Sequence, residues 1–143
     1  MAMQSDELMR MVLDVINAIP DMPCEAVQDT MQETAPCLVL RIRAGARKSE
    51  TDILGGYTLT VPFSIYYRIT ADGKLSHMEA MKVLDTIGRT FDEKTFNQTF
   101  PIGQMGKRSI RIDMQTAPLC IARNENTTED YQADYTLEYK QEG

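Results

Sequence analysis

The chain has 143 residues, of which 43% are hydrophobic and 25% are charged, and its formal net charge is −6. This length and composition predict one ordinary globular domain over residues 1–143. No apolar run approaches the ~18 residues of a membrane span, the N-terminus lacks the pattern of a secretory signal, and an acidic chain argues against tight general binding to nucleic acid. Cys24, Cys37 and Cys120 form no CxxC pair, which predicts reduced thiols in a cytosol-type compartment.

The charge is unevenly distributed along the chain. Residues 1–40 contain seven acids and one base, residues 41–124 eight acids and thirteen bases, and residues 125–143 six acids and one base. Because opposite patches steer association, this division is compatible with head-to-tail contact between copies. An ordinarily solvated surface is the alternative interpretation.

A first helix is predicted to begin at Ser5, which is a good N-cap and is followed by Asp6 and Glu7 in the first turn, where the helix dipole favours negative charge. Apolar residues then recur at helical spacing and predict one buried stripe. Its members are Leu8, Met11, Val12, Val15 and Ile16. Pro20 prevents the helix from continuing. Residues 20–36 are compatible with either a short helix or an irregular connection.

From Cys37 the pattern is that of a strand. Leu38, Leu40 and Ile42 alternate with Val39, Arg41 and Arg43, so the two sets are expected on opposite faces. Residues 44–56 follow and end in two glycines. They predict a long, mobile hairpin loop, a kind of segment that often carries function.

Residues 57–70 carry apolar side chains at every second position, which predicts a strand of roughly 45 Å with one buried side. The buried side is expected to carry Tyr57, Leu59, Val61, Phe63, Ile65, Tyr67 and Ile69. Pro62 lies on the other side. Because proline cannot donate a ladder hydrogen bond, we expect an edge position or a bend there.

Ser76 and Glu79 form a capping box that predicts the start of a second helix. Its buried side is expected to consist of Met78, Met81, Leu84, Ile87 and Phe91. Residues 92–106 are interpreted as a partly packed loop. Three strands are predicted after it, at residues 110–114, 119–121 and 131–140, and the polar residues 124–130 are expected at a hairpin tip.

The predicted order is therefore α-β-β-α-β-β-β. Short links between strands favour an α+β fold with an antiparallel or mixed sheet and two helices on one face. The other face of the sheet is expected to be either solvated or buried against another subunit.

The sequence contains no pattern typical of catalysis. His77 is the only histidine and is expected at a solvent-facing helix start, and one histidine cannot form a multi-histidine metal site. No phosphate-binding loop or activated nucleophile is indicated. We therefore expect no enzyme, no cofactor and no metal.

Basic residues could form a patch on the folded chain. They are Arg41, Arg43, Arg47, Lys48, Lys107, Arg108 and Arg111. Binding of nucleic acid would require them on one face, ideally with aromatic side chains between them.

The element order and the strand that begins Gly55-Gly56-Tyr57 resemble the small minor capsid or tail-completion proteins of long-tailed bacteriophages and prophages, and among these the tail terminator type. The resemblance extends over residues 8–139. Ala71-Asp72-Gly73 and the capped helix after it contribute the second local similarity.

The resemblance implies a non-enzymatic structural protein of the virion that assembles as a ring, commonly a hexamer. Such a ring caps the tail tube protein and offers a surface to the head-completion or connector protein. DNA passes through the lumen without specific binding, so an acidic or neutral inner wall is expected. The implied location is the head–tail junction, with assembly in the bacterial cytoplasm and no membrane partner.

Contact residues of this family are not defined by a transferable motif. Candidates for the subunit or tail-tube interface are therefore residues of the loop and the basic segments. They are Arg41, Arg43, Arg47, Lys48, Asp52, Lys107 and Arg108. Alternative interpretations are another head–tail connector or tail-tube component, and a cellular α+β module that binds a small ligand or a peptide, which would require a closed apolar pocket.

Overall fold

The structure, a computed structural model, describes residues 5–28, 30, 35–49, 54–71, 76–101, 108–125 and 127–142. Two helices and six strands lie within this part of the chain. They are α1 (Ser5–Asn17), β1 (Ala26–Gln28), β2 (Cys37–Ile42), β3 (Arg47–Lys48), β4 (Tyr57–Thr70), α2 (Ser76–Asn97), β5 (Arg108–Arg123) and β6 (Thr128–Gln141). The predicted α+β class is confirmed. The sheet is mixed, because β1 pairs with β2 in parallel while the other pairs are antiparallel.

The order of elements differs from the predicted α-β-β-α-β-β-β. Strands β1 and β3 were not predicted, because three and two residues are too few to show a period. The two strands predicted within residues 110–121 are one strand, β5. Its pairing with the long β6 continues through register shifts at Met114/Thr116, Thr116/Leu119 and Cys120/Ala122, which accommodate the interruption around Pro118.

The sheet has the strand order β1-β2-β4-β6-β5, and β3 also pairs with β4. The predicted bounds of β4 are confirmed. Of the two options predicted at Pro62, an edge strand is excluded because β4 is central, and a bend stays a prediction. The Pro62 carbonyl accepts a hydrogen bond from the Arg43 amide at 2.9 Å. The Pro62 nitrogen therefore faces the same side, where β2 has ended at Ile42 and β3 has not yet begun, so no ladder bond is lost.

The core lies against the side of the sheet that carries the odd-numbered residues of β4, all of which are buried as predicted. At its centre the Phe63 and Tyr135 rings stack at 5.5 Å, and Phe91 of α2 meets both rings edge-on at 6.1 and 5.1 Å. Aromatic pairs in this geometry stabilise a core beyond their buried area. Phe91 thus fixes the middle of α2 on β4 and β6.

Helix α2 is six residues longer than predicted, because residues 92–97 are helical. Leu84, Ile87 and Phe91 are buried as expected, but Met78 is 65% exposed and does not belong to the buried side. Ala80 and Gly88 take part instead. The predicted stripe of α1 is confirmed, and it belongs to the same buried cluster as Leu38 and Leu40 of β2.

Both outer edges of the sheet are partly covered by polar side chains in or next to the helices. The Asn17 amide donates to the Ala26 carbonyl and accepts from its N–H, at 3.2 and 2.7 Å. Gln98 binds both backbone groups of Ile110 in the same way, and Thr95 accepts from the Ile112 N–H. Covered edges of this kind resist pairing with another chain.

Candidate assembly surface

The side of the sheet opposite the aromatic core is termed the polar face. The pairing register places in it the even-numbered residues of β4, including Pro62, and their partners on the neighbouring strands. Val39 lies in this face beside Tyr66, yet it is completely buried. The predicted alternation of β2 is therefore correct in direction but not in burial.

A hydrogen-bonded network occupies the middle of the polar face. Asp134 accepts hydrogen bonds from Ser64 and Gln132, and Ser64 is fully buried. Burial alone would raise the pKa of Asp134, but these bonds and the charge of Arg43 together lower it. Arg43 donates to the Tyr135 carbonyl at 3.2 Å, while its Nε is 4.0 Å from Asp134. The Ser64, Gln132 and Asp134 side chains are thus hydrogen-bonded within one chain, whereas the buried Arg43 Nε has no hydrogen-bond partner among the described residues.

A second ion pair lies toward the far end of the face. Arg68 donates to Asp130 through Nε and one Nη, at 2.7 and 2.9 Å. The hydrogen bond from Arg68 lowers the pKa of Asp130, and burial opposes that shift. Together with Arg123–Glu129 and Arg43–Asp134, this pair joins the basic middle of the sequence to its acidic C-terminal segment. Three of the six acids within residues 125–143 are therefore paired within the chain.

Three of the predicted interface residues come together along one border of the polar face. Arg41, Arg43 and Arg47 lie beside Ser64, Pro62 and Thr60 of β4. We call these three residues the arginine strip. Arg41 and Arg47 are exposed, and the side chain of Arg43 is 36% exposed.

The Arg41 guanidinium lies 5.3 Å from the centre of the Tyr66 ring, which restricts its position. Tyr66 is opposite Val39 and lies beyond Arg41 rather than between the arginines. The strip therefore places basic residues on one face but lacks the interleaved aromatic side chains that binding of nucleic acid would ideally have.

The other candidates are elsewhere. Lys48 pairs with Leu59, so it lies on the core side, and its ammonium group is 4.3 Å from the centre of the Tyr57 ring. Arg108 pairs with Gln141, which in turn pairs with Tyr57, so it also lies on the core side. Asp52 and Lys107 lie outside the described residues, as does the whole stretch 50–53 within the predicted loop. Within that loop Arg47 and Lys48 are paired with β4, and its mobility stays a prediction.

The exposed side of α1 carries the opposite charge. Asp6, Glu7 and Asp14 are exposed, with Arg10 among them. At 100° per residue, these four positions point away from the buried stripe of the helix. We call them the acidic side of α1.

A further cluster of polar groups joins the start of α2 to the end of the sheet. His77 Nδ1 is 2.9 Å from the Tyr131 hydroxyl, which donates to Glu129 at 3.4 Å, and Glu129 accepts from Arg123 at 2.9 Å. Burial and the Glu129 charge raise the pKa of Tyr131 to about 12, so it stays protonated at neutral pH. The sequence did not indicate this cluster, because the β5–β6 pairing brings Arg123 to Glu129 and the packing of α2 brings His77 to Tyr131. Because these groups bind one another, the cluster fixes the start of α2 to β6 and β5.

An open groove lies between residues 20–23 and α2, with Tyr67 at its base. Its walls include Pro20, Met22, Val83 and Lys82. Burial, followed by the nearby Cys24 and Glu79, raises the pKa of Tyr67 to about 12. The groove is open to solvent along α2 and differs from the closed apolar pocket expected of a ligand-binding module.

The described residues contain no group of three or more histidine, cysteine or acidic side chains that could hold a metal ion. Within the same ranges, neither helix is long and apolar enough to cross a membrane. Comparison with known protein families finds no family that matches the chain, and comparison with curated proteins finds no significant similarity.

Proposed function

We propose that this chain is a non-enzymatic structural subunit of the phage tail terminator type, which assembles as a ring, caps the tail tube and offers an attachment surface to the head-completion protein. Its proposed place is the head–tail junction of a virion, after assembly in the bacterial cytoplasm. DNA passes through the lumen without specific binding.

One observation carries the proposal. The chain presents two differently charged surfaces, the arginine strip and the acidic side of α1. A ring requires two complementary and non-identical patches on each subunit, whereas a two-fold dimer requires one patch that complements itself. The two surfaces are the kind of pair that a ring needs.

The placement of the helices is part of the proposal. The apolar residues of α1 and α2 share one buried cluster with the odd-numbered side of β4. We place both helices on that side, which leaves the polar face available to a neighbouring subunit. The proposed ring has an acidic or neutral inner wall.

The function is tested by adding the purified protein to polymerising tube protein encoded beside it in the same phage or prophage. Tubes should become shorter and more uniform in electron micrographs, with a ring at one end. Unchanged tube lengths, together with failure of the protein to sediment with tubes, would contradict the proposal. A ring on the connector but not on the tube would instead favour another head–tail component.

A feature that supports the ligand-binding alternative is the groove between residues 20–23 and α2. Substitution of Val83 by arginine would fill this groove without changing either charged surface. If tube capping persists in that variant, the groove is not required for the proposed function.

A further inference from the structure

We infer that the ring interface is a front-to-back contact in which the arginine strip of one copy binds the acidic side of α1 of the next copy. The inference rests on the proposed ring and specifies its interface. The inference is argued from two placements. Arg41, Arg43 and Arg47 lie in one face of the sheet. Helix α1, as placed in the proposal above, packs on the strands from the opposite, core side.

The strip has a regular spacing. Arg41, Arg43 and Arg47 lie beside alternate residues of β4, and alternate residues of a strand are about 7 Å apart. A guanidinium group presents a rigid fork of donors that matches a carboxylate. The strip can therefore accept a row of acidic side chains from one face of a helix.

The acidic side of α1 meets this requirement. Five acids and one base lie within residues 5–28, and the exposed acids of α1 are Asp6, Glu7 and Asp14. Positions 7 and 14 are two turns apart, about 10 Å along the axis. That distance matches the span of two to three arginines of the strip.

The two surfaces point in different directions from the subunit. The buried stripe of α1 faces the cluster that contains Leu38 and Leu40, so its acidic side faces outward. The arginine strip faces outward from the other side of the same sheet. A contact between them joins the front of one copy to the back of the next, and repetition of that step closes a ring or extends a filament.

A second copy explains the strip better than nucleic acid does. The protein carries the complementary charge itself, and its net charge of −6 opposes association with a polyanion. Asp134 also lies within 4.0 Å of Arg43, inside the surface that a phosphate backbone would have to approach. Binding of nucleic acid by the strip is one of the outcomes that the following test can detect.

The test uses two charge-reversed proteins. One carries Arg41→Glu and Arg47→Glu, and the other carries Glu7→Lys and Asp14→Lys. Arg43 is left unchanged because it donates to the Tyr135 carbonyl. The matched control is Arg89→Glu, an exposed residue on α2 that pairs only with the exposed Asp85 among the described ion pairs. Circular dichroism and thermal unfolding identify any variant that fails to fold.

Sedimentation velocity then measures assembly with and without tubes of the neighbouring tube protein. Each reversed protein alone should associate at least about tenfold more weakly than the wild type, because like charges then face each other. An equimolar mixture of the two should regain assembly, since every interface in an alternating ring is again complementary. Assembly of the wild type should weaken as salt is raised.

Several results would overturn the inference. Wild-type assembly by either reversed protein would do so, as would a mixture that does not recover. So would an arginine variant that assembles normally but has lost binding to a labelled single-stranded DNA oligonucleotide. A wild-type chain that stays monomeric with and without tubes would instead contradict the proposed function itself.

Discussion

Arg68 and Asp130 are joined by two hydrogen bonds across β4 and β6, at 2.7 and 2.9 Å. Asp130 is only 8% exposed. This pair connects the C-terminal end of β4 to the acidic C-terminal segment. It shows that residues distant in the sequence and opposite in charge neutralise each other within one subunit.

Substitution of Asp130 by asparagine should lower the free energy of unfolding by about 2 kcal/mol at pH 7, because hydrogen bonds to a charged group are lost. The pKa of Asp130 is lower in the folded chain than in the unfolded chain. Its contribution is therefore fully present above the unfolded value near pH 4, and it is lost as the pH falls through the lower folded value.

Urea unfolding between pH 2 and 7 measures this effect. The stability difference between wild type and D130N should disappear at the acidic end. Asp113 provides the matched control, because it pairs with Arg111 at an exposed site, with side chains 47% and 66% exposed. D113N should change stability by less than about 0.5 kcal/mol. Equal effects of the two substitutions would contradict the assignment.

Substitution of Tyr135 by phenylalanine should leave the stability unchanged or raise it by about 1 kcal/mol. The Tyr135 hydroxyl is buried and has no hydrogen-bond partner among the described residues. An unsatisfied buried hydroxyl is unfavourable, while the ring would keep its contacts with Phe63 and Phe91. Thermal unfolding at neutral pH measures the change. A loss above 1 kcal/mol would indicate an unrecognised partner for the hydroxyl.

Substitution of Gly88 by alanine should destabilise the protein by about 1 kcal/mol, although alanine is the better residue in a helix interior. The added Cβ would lie 3.3 Å from both the Tyr135 hydroxyl and the terminal methyl of Met114. Met114 is 43% exposed and can move, whereas the Tyr135 ring is held between aromatic neighbours.

The double variant G88A/Y135F separates the two contacts. The Gly88→Ala substitution should destabilise Y135F less than it destabilises the wild type, and a double-mutant cycle measures that difference. A cycle without coupling would assign the cost of alanine to Met114 or to the helix itself.

Gln98 should contribute to the stability of the fold because its side chain covers the edge of β5. Substitution by alanine removes both hydrogen bonds to Ile110 and should cost about 1–2 kcal/mol. The residue has a φ of +52°, a conformation that costs an L-residue about 1 kcal/mol. Gln98→Gly loses the same bonds but avoids that cost, so chemical unfolding should rank it between wild type and Q98A. A glycine variant less stable than the alanine variant would contradict this explanation.

The sequence predicted the features that depend on local pattern. The bounds of β4 were correct because apolar side chains occupy every odd-numbered position from Tyr57 to Ile69. The start of α2 at Ser76 was correct because a capping box is a local signal. The end of α2 was missed because Asp92 and Glu93 look like loop residues when only the polar pattern is considered. The pairing of Arg47 with Thr60 was missed because β3 has only two residues.

The candidate surface could be predicted only in part. Arg41 and Arg43 follow from the period of one strand, but the addition of Arg47 and the exclusion of Lys48 depend on which residue of β4 each one faces. The internal pairing of Asp130 and Asp134 also depends on the β4–β6 register. The register between strands is set by tertiary packing, and a local sequence pattern does not contain it.

The central claim is that this chain acts by forming a ring on a tail tube. Sedimentation velocity of the purified protein, with and without tubes, tests it most directly by measuring the mass of the particle. We expect one closed oligomer, a hexamer in the proposed assembly, that forms alone at high concentration or on the tube. A chain that remains a monomer at every concentration and does not sediment with tubes would contradict the claim.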